Sequence, residues 1–260
     1  MTHALFVRDG DLYRPTRLTE GPWSPDAQHG GAPAALLAGV IEKTPSEVEM
    51  VVARISVELL RPVPLHPLAL VTTLIRPGRR VQLVAASLAH EGQEVVRALG
   101  LRVRRAEMHM PLAQPEDGQI ASPEKGRPAS FFANAGAFAT EAMEIRMLEG
   151  DFSEPGPGKA WLRLRVPLIE GEETTGVERV AAAADFGNGV SNLAGAERNW
   201  VFINPDLTIH LVRPPVGEWI YLDSSTQVHE AGTGLATSVL GDEAGRLGTA
   251  AQSLLVEPMP

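Results

Sequence analysis

Ile55–Pro62 reads ISVELLRP, and Leu207–Pro214 reads LTIHLVRP. In both, apolar side chains fall at alternate positions, and both close on Arg-Pro with a second proline following. Alternation marks a half-buried strand, because successive side chains point to opposite faces, and proline ends the pairing because it has no N–H to give. The two Arg-Pro ends lie 152 residues apart (213 − 61). Eight residues are weak evidence of duplication alone, so the flanking segments decide.

They repeat as well. Val81 to Val103, VQLVAASLAHEGQEVVRALGLRV, reads as strand, turn at Glu91-Gly92, strand. Gly234 to Val256, GLATSVLGDEAGRLGTAAQSLLV, reads the same way with a turn at Ala244-Gly245, an offset of 153 (245 − 92). Upstream of each strand set lies a small-residue helical run, Gly30 to Lys43 and Gly176 to Phe186. Helices that are small or apolar all round belong in a core. Each half thus reads as an α+β unit, a buried helix wrapped by antiparallel strands. Residues 1–105 and 131–260 are the expected units. Residues 106–130, rich in proline, glycine and charge and without a sustained period, are the expected linker. Two curved sheets side by side can join edge strands, which removes two exposed edges; the remaining edges leave room for pairing between copies.

Composition narrows the function. The chain has 260 residues, is 44% hydrophobic, and carries a net charge of −9, which disfavours nucleic acid and anionic membranes as partners. It has no cysteine, hence no disulfide and no thiol nucleophile. The seven histidines are scattered, so no metal site is indicated. No apolar run reaches the roughly 20 residues of a membrane span, and the N-terminus lacks a secretory pattern, so a cytoplasmic protein is expected.

The halves diverge in their polar residues. The second helix ends AAAADFGNG, with Asp185 after four alanines. An acid followed by glycine is ordinary helix-exit chemistry, and that reading stands beside a catalytic one. The second half, however, also gathers Asn204, Asp206, Thr208 and Gln252 near strands whose first-half counterparts are poorer in polar groups; at an offset of 153, Gln252 falls opposite Leu99. Unpaired buried polar groups cost roughly 1–3 kcal/mol each, so several together point to a network around a site.

The repeat, the HGGAPAALLAG run, the ADFGNG turn, NPDLTIHLVRPPVGEWIYLD and GRLGTAAQSLLVEP together resemble the medium-chain acyl-CoA thioesterase II family. The resemblance covers nearly the whole chain. It implies a double hotdog fold, acyl-CoA as substrate and no cofactor. It implies an Asp at the end of the second helix, matched by Asp185, and a Gln in the last strand, matched by Gln252. A Ser or Thr expected before the penultimate motif is Asn204 here, a departure; Thr208 supplies a hydroxyl if its strand turns it inward. The expected chemistry is attack of water on the thioester carbonyl, assisted by Asp185, Asn204 and Gln252. Gly30 and Gly31, at a helix start, are candidate oxyanion donors, and His29 and Gly187 join them as candidate substrate contacts.

Other signals stay open. His29, just before a helix, reads first as structural and second as a ligand contact, and His210 reads equally as a core residue or a neighbour of Thr208. Arg76 and the Gly78 to Arg80 turn read as a solvated turn or as a patch for an anionic CoA tail. No G-x-S-x-G is present. Hotdog hydratases pair an Asp with a His five residues on; here that position is Val190, which disfavours hydration. A binding protein without turnover, favoured by Asn204, and a hydratase or dehydratase on the same scaffold are the alternatives.

Overall fold

The computed structural model describes residues 3–107, 120–131, 135–194 and 199–259. The first half contains β1 (Phe6–Asp9), β2 (Leu12–Pro15), α1 (Gly31–Lys43), β3 (Met50–Leu59), β4 (Leu68–Arg76), β5 (Val81–His90) and β6 (Gln93–Arg104). The second contains β7 (Arg127–Ala129), β8 (Met143–Glu149), β9 (Gly158–Leu164), α2 (Gly176–Ala184), α3 (Gly187–Val190), β10 (Trp200–Ile203), β11 (Asp206–Leu211), β12 (Ile220–His229), β13 (Thr233–Asp242) and β14 (Gly245–Pro258). The strands form one antiparallel sheet in the order β1-β2-β4-β5-β6-β3-β11-β14-β13-β12-β9-β8-β7, with β10 beside the end of β14. This is the double hotdog: a curved sheet wrapped round α1 in one half and round α2 and α3 in the other, over one continuous apolar core. Of the expected linker, residues 108–119 lie outside the described residues, whereas Arg127–Ala129 pairs with β8 as an edge strand.

The two quoted stretches meet at the centre. β3 and β11 are antiparallel neighbours, with Ser56 opposite Thr208, Ile55 opposite Ile209 and Val57 opposite Leu207. Ser56 and Thr208 are 152 apart (208 − 56), and 207 − 55 and 209 − 57 give the same offset, so the repeat's two-fold relation passes through this pair. Ile55, Val57, Leu207 and Ile209 are buried. Thr208 therefore faces the opposite side of the sheet, where its hydroxyl lies 3.4 Å from that of Ser56.

The register corrects one detail of the sequence reading. β13 and β14 turn at Glu243-Ala244, with Asp242 opposite Gly245, and β5 and β6 turn with His90 opposite Gln93. The offset is again 152 (242 − 90), so Gln252 corresponds to Gly100 and not to Leu99. Low-information stretches of alanine and glycine allow a one-residue slip, and each slip turns a strand's side chains to the other face.

α1 and α2 pack against each other across the halves. A capping box starts α2: Thr175 accepts from Glu178 N–H, and the Glu178 carboxylate accepts from Thr175 N–H. Glu178 is buried and paired with Lys43 Nζ at 2.8 Å, and Thr175 Oγ1 donates to Glu42 at 2.6 Å. Burial, aided by the nearby Glu178 charge, pushes the Glu42 carboxyl up despite the Thr175 hydroxyl and Lys43. A carboxyl raised in the folded state contributes stability below its unfolded value and loses it as pH rises through the folded one. Glu42→Gln keeps an acceptor for Thr175 without the charge. It is expected to unfold at a higher temperature than wild type near pH 7, with the gap closing below about pH 4; a gap independent of pH would refute this account.

Candidate active site

One exchange of side chains between the halves makes room for a polar site. In the first half, Gly100 of β6 faces the helix, and a Cβ there would lie 2.1 Å from Ile41 Cγ2. α1 thus fills the space with a methyl-bearing side chain. In the second half the glycine is on the helix side: a Cβ on Gly187 would lie 3.0 Å from Gln252 Oε1 and 2.8 Å from Ser238 Oγ. The strand then supplies Gln252, which is buried. At this position the second half therefore carries an amide where the first half has Gly100 packed on Ile41.

Asp185 caps α2, where the helix breaks before resuming as α3. Its backbone carbonyl accepts from Gln252 Nε2 at 3.1 Å, and its Oδ1 accepts from the same nitrogen at 3.2 Å. Asn204 Nδ2 donates to Oδ1 at 2.7 Å. Asn204 reaches inward because Pro205 interrupts the strand between β10 and β11, at the position that corresponds through the repeat (205 − 152 = 53) to the bulge in β3. Gln252 Oε1 accepts from Asn188 N–H at 3.0 Å, which fixes which way round the amide lies.

The first half contributes from the start of α1. His29 Nδ1 lies 3.0 Å from Asp185 Oδ2, with the two side chains 13% and 4% exposed. Gly31 N–H also lies 3.1 Å from Nδ1. That nitrogen has one in-plane position, so it cannot accept from Gly31 and donate to Asp185 at once. The carboxylate is the stronger acceptor, so Nδ1 carries the proton and Nε2 keeps its lone pair. Gly30 is required by contact: its Cβ would sit 2.9 Å from Asp185 Oδ2. Burial alone pushes the Asp185 carboxyl up, but hydrogen bonds from His29, Asn204 and Gly31 hold it below the usual carboxylate value. The start of a thirteen-residue helix favours the same charge.

Asp185, Asn204, Gln252, His29, Gly30, Gly31 and Gly187 are therefore brought together. Thr208 is not, since it faces away on β11; His210 shares its outer face and is exposed, and Asp206 accepts from Ser253 N–H at 2.7 Å. The Arg76 and Gly78 to Arg80 cluster sits beyond the other end of α1, where Arg79 pairs with Glu47 and Gln82 donates to Ser46. A thirteen-residue helix is about 20 Å long, so that cluster is remote from Asp185. The sequence reading missed the aromatic wall. His29 is stacked on Phe186 at 4.6 Å and lies 4.8 Å from Phe138 between ring centroids. Scattered phenylalanines carry no period that would gather them in advance. Among the described residues no group of side chains could hold a metal ion, and no helix is long and apolar enough to cross a membrane.

Comparison with known proteins agrees with this architecture. Residues 19–103 match the family described as acyl-CoA thioesterase N-terminal domain, and residues 115–256 match the acyl-CoA thioesterase C-terminal domain. Among solved structures, the chain is similar to a hot dog fold protein of Alicyclobacillus acidocaldarius (14% identity, TM-score 0.73, covering 98% of this chain and 96% of that one). It is also similar to the tesB protein of Mycobacterium avium subs paratuberculosis (16%, 0.68, 97% and 96%) and to the acyl-CoA thioesterase II TesB2 of Mycobacterium marinum (15%, 0.65, 96% and 93%). At these identities the structural likeness speaks for the fold alone. No curated protein matches the chain. The family match spans both halves, and on it the chain belongs to the acyl-CoA thioesterase family and is a thioester hydrolase.

Proposed function

We propose that the chain hydrolyses acyl-CoA to the free acid and CoA at a single site built on Asp185 and His29. The Asp185–His29 contact at 3.0 Å, inside a cage of Asn204 and Gln252, carries this reading. A carboxylate held low by three donors is a poor base, and its better use is to orient an imidazole. His29 Nε2 then takes a proton from water as the water oxygen attacks the thioester carbonyl. Asp185 holds the ring in the right tautomer and stabilises the imidazolium. Gly30 offers a backbone N–H at the start of α1, with no intrahelical acceptor, to the developing oxyanion. Collapse of the tetrahedral intermediate breaks the C–S bond, and the departing thiolate takes the proton back from His29.

Support also comes from Gln252, whose amide ties Asp185 to α3 so that the carboxylate cannot turn away. The test is release of CoA thiol from acyl-CoA, a signal to which this cysteine-free chain adds no background. His29→Gln is expected to lose about 10²–10⁴-fold in kcat. Turnover unchanged in that variant would remove His29 from the mechanism. A second reading, binding without turnover, is favoured by Asn204, whose amide stands where the family resemblance leads to a hydroxyl; tight acyl-CoA binding with no thiol release would establish it.

A further inference from the structure

Four of the seven phenylalanines, Phe131, Phe138, Phe152 and Phe186, stand round the Asp185–His29 pair. They form a continuous wall. Phe186 faces His29, Phe131 lies 5.4 Å from Phe186, and Phe152 stacks on Phe131 at 4.0 Å between centroids. Phe131 is seated on bare backbone: a Cβ on Gly189 of α3 would lie 2.7 Å from its Cζ. Phe138, Phe152 and Phe186 are buried, and Phe131 is the ring of the four that is partly exposed.

The repeat shows how each half fills the corresponding place. Ser224 and Thr226 of β12 correspond to Thr72 and Leu74 of β4 (224 − 72 and 226 − 74 both give 152), a match confirmed by their partners Ser238 and Ala236 against Ala86 and Val84. In the first half, Thr72 and Leu74 line an open cavity of about 400 Å³ with Leu36 and Val40 on one side and the charged Lys43 and Glu178 on another. In the second half, α3 lies against the corresponding strand, with Ser191 Oγ 2.6 Å from Thr226 Oγ1, and Phe131 covers α3. Phe131 stands just after the edge strand β7, ahead of the part of the second half that the repeat covers.

We propose that Phe131 is the end wall of the acyl pocket and restricts the site to short acyl groups. This rests on the hydrolase reading above. The acyl group runs from the carbonyl, held between Asp185 and Gly30, along Phe186 until it meets the Phe131 ring. Chains longer than that gap find no apolar surface to cover, so additional methylenes add nothing to transition-state binding. Removing the ring exposes Gly189 and Phe152 to the chain. Each methylene then buried is worth roughly 4-fold in kcat/KM, so three admitted methylenes give tens of fold.

The experiment measures kcat/KM on a series from acetyl-CoA to palmitoyl-CoA for wild type, Phe131→Ala, Phe131→Leu and Phe131→Trp. Wild type is expected to favour the short end. Phe131→Ala should raise the longer substrates by tens of fold while the shortest stays within a few fold, Phe131→Leu should shift the same way by less, and Phe131→Trp should cut the profile shorter. A purely structural role would lower all substrates together, and one length profile shared by all four proteins would overturn the proposal. Dissociation constants for S-alkyl-CoA thioethers of graded length, which cannot be hydrolysed, are measured alongside. If wild type releases no thiol but Phe131→Ala tightens long thioethers selectively, the hydrolysis reading falls and the end wall stands. If thiol is released and the thioether profile does not move, the end wall falls and hydrolysis stands.

Discussion

Asp185→Asn is expected to lower kcat for acyl-CoA hydrolysis by about 10³–10⁴-fold, the largest effect of any substitution considered for this protein. The reason lies in what surrounds the carboxylate. Asn204 and Gln252 both donate to Oδ1, so the carbonyl of an asparagine would settle there and its NH₂ would face His29 Nδ1. That nitrogen must then accept, the ring proton moves to Nε2, and the base disappears without any change in shape. Thiol release from wild type and variant in parallel measures it. Full activity in the variant would return Asp185 to the role of a helix cap. The fold offers a second readout. A carboxyl held low when folded contributes stability above its unfolded value and loses it as pH falls through the folded one. The variant's deficit in unfolding temperature should therefore be present at neutral pH and shrink in acid.

Arg213→Ala should cost about 3–5 kcal/mol, read as a drop of roughly 10 °C in unfolding temperature. Arg213 grips both oxygens of Asp242, at 2.6 Å and 2.5 Å, and donates to Gly245 O at 2.9 Å. The Asp242 side chain is fully buried. Without Arg213 it keeps only the backbone N–H groups of Val216 and Ala244, and a buried charge loses its counter-charge. The internal control is Arg61, its counterpart in the other Arg-Pro (213 − 152), which is exposed and reaches only the Glu94 carbonyl at 3.3 Å. Arg61→Ala should be nearly neutral. Equal losses in the two variants would show that the Arg-Pro motif, and not the buried pair, sets the cost.

The duplicated strand was legible because period-two burial and a strand-ending proline recur at one offset with the flanking segments. Its self-complementary register at Ser56 and Thr208 came only with the pairing of β3 and β11. Asp185 and Gln252 were legible as polar residues in stretches that otherwise bury small side chains. Gln252's true counterpart was not, because alanine- and glycine-rich strands align equally well one residue apart until a ladder sets the register. Thr208 illustrates the same limit: in an alternating strand it had to face one side or the other, and only the burial of Leu207 and Ile209 decided which.

By itself, then, the sequence determined two α+β units, their relation by duplication and the half that carries an acid and an amide, since each of these is written in local periodicity and residue type. The tertiary structure decided that His29 from the first half meets Asp185 of the second, that Asn204 donates to the carboxylate directly, and that Phe131 lies against Gly189. Those contacts join residues as much as 156 positions apart (185 − 29), and no local pattern encodes them. They arise because two helices of small residues pack across the halves of one sheet, which sets the start of α1 against the end of α2.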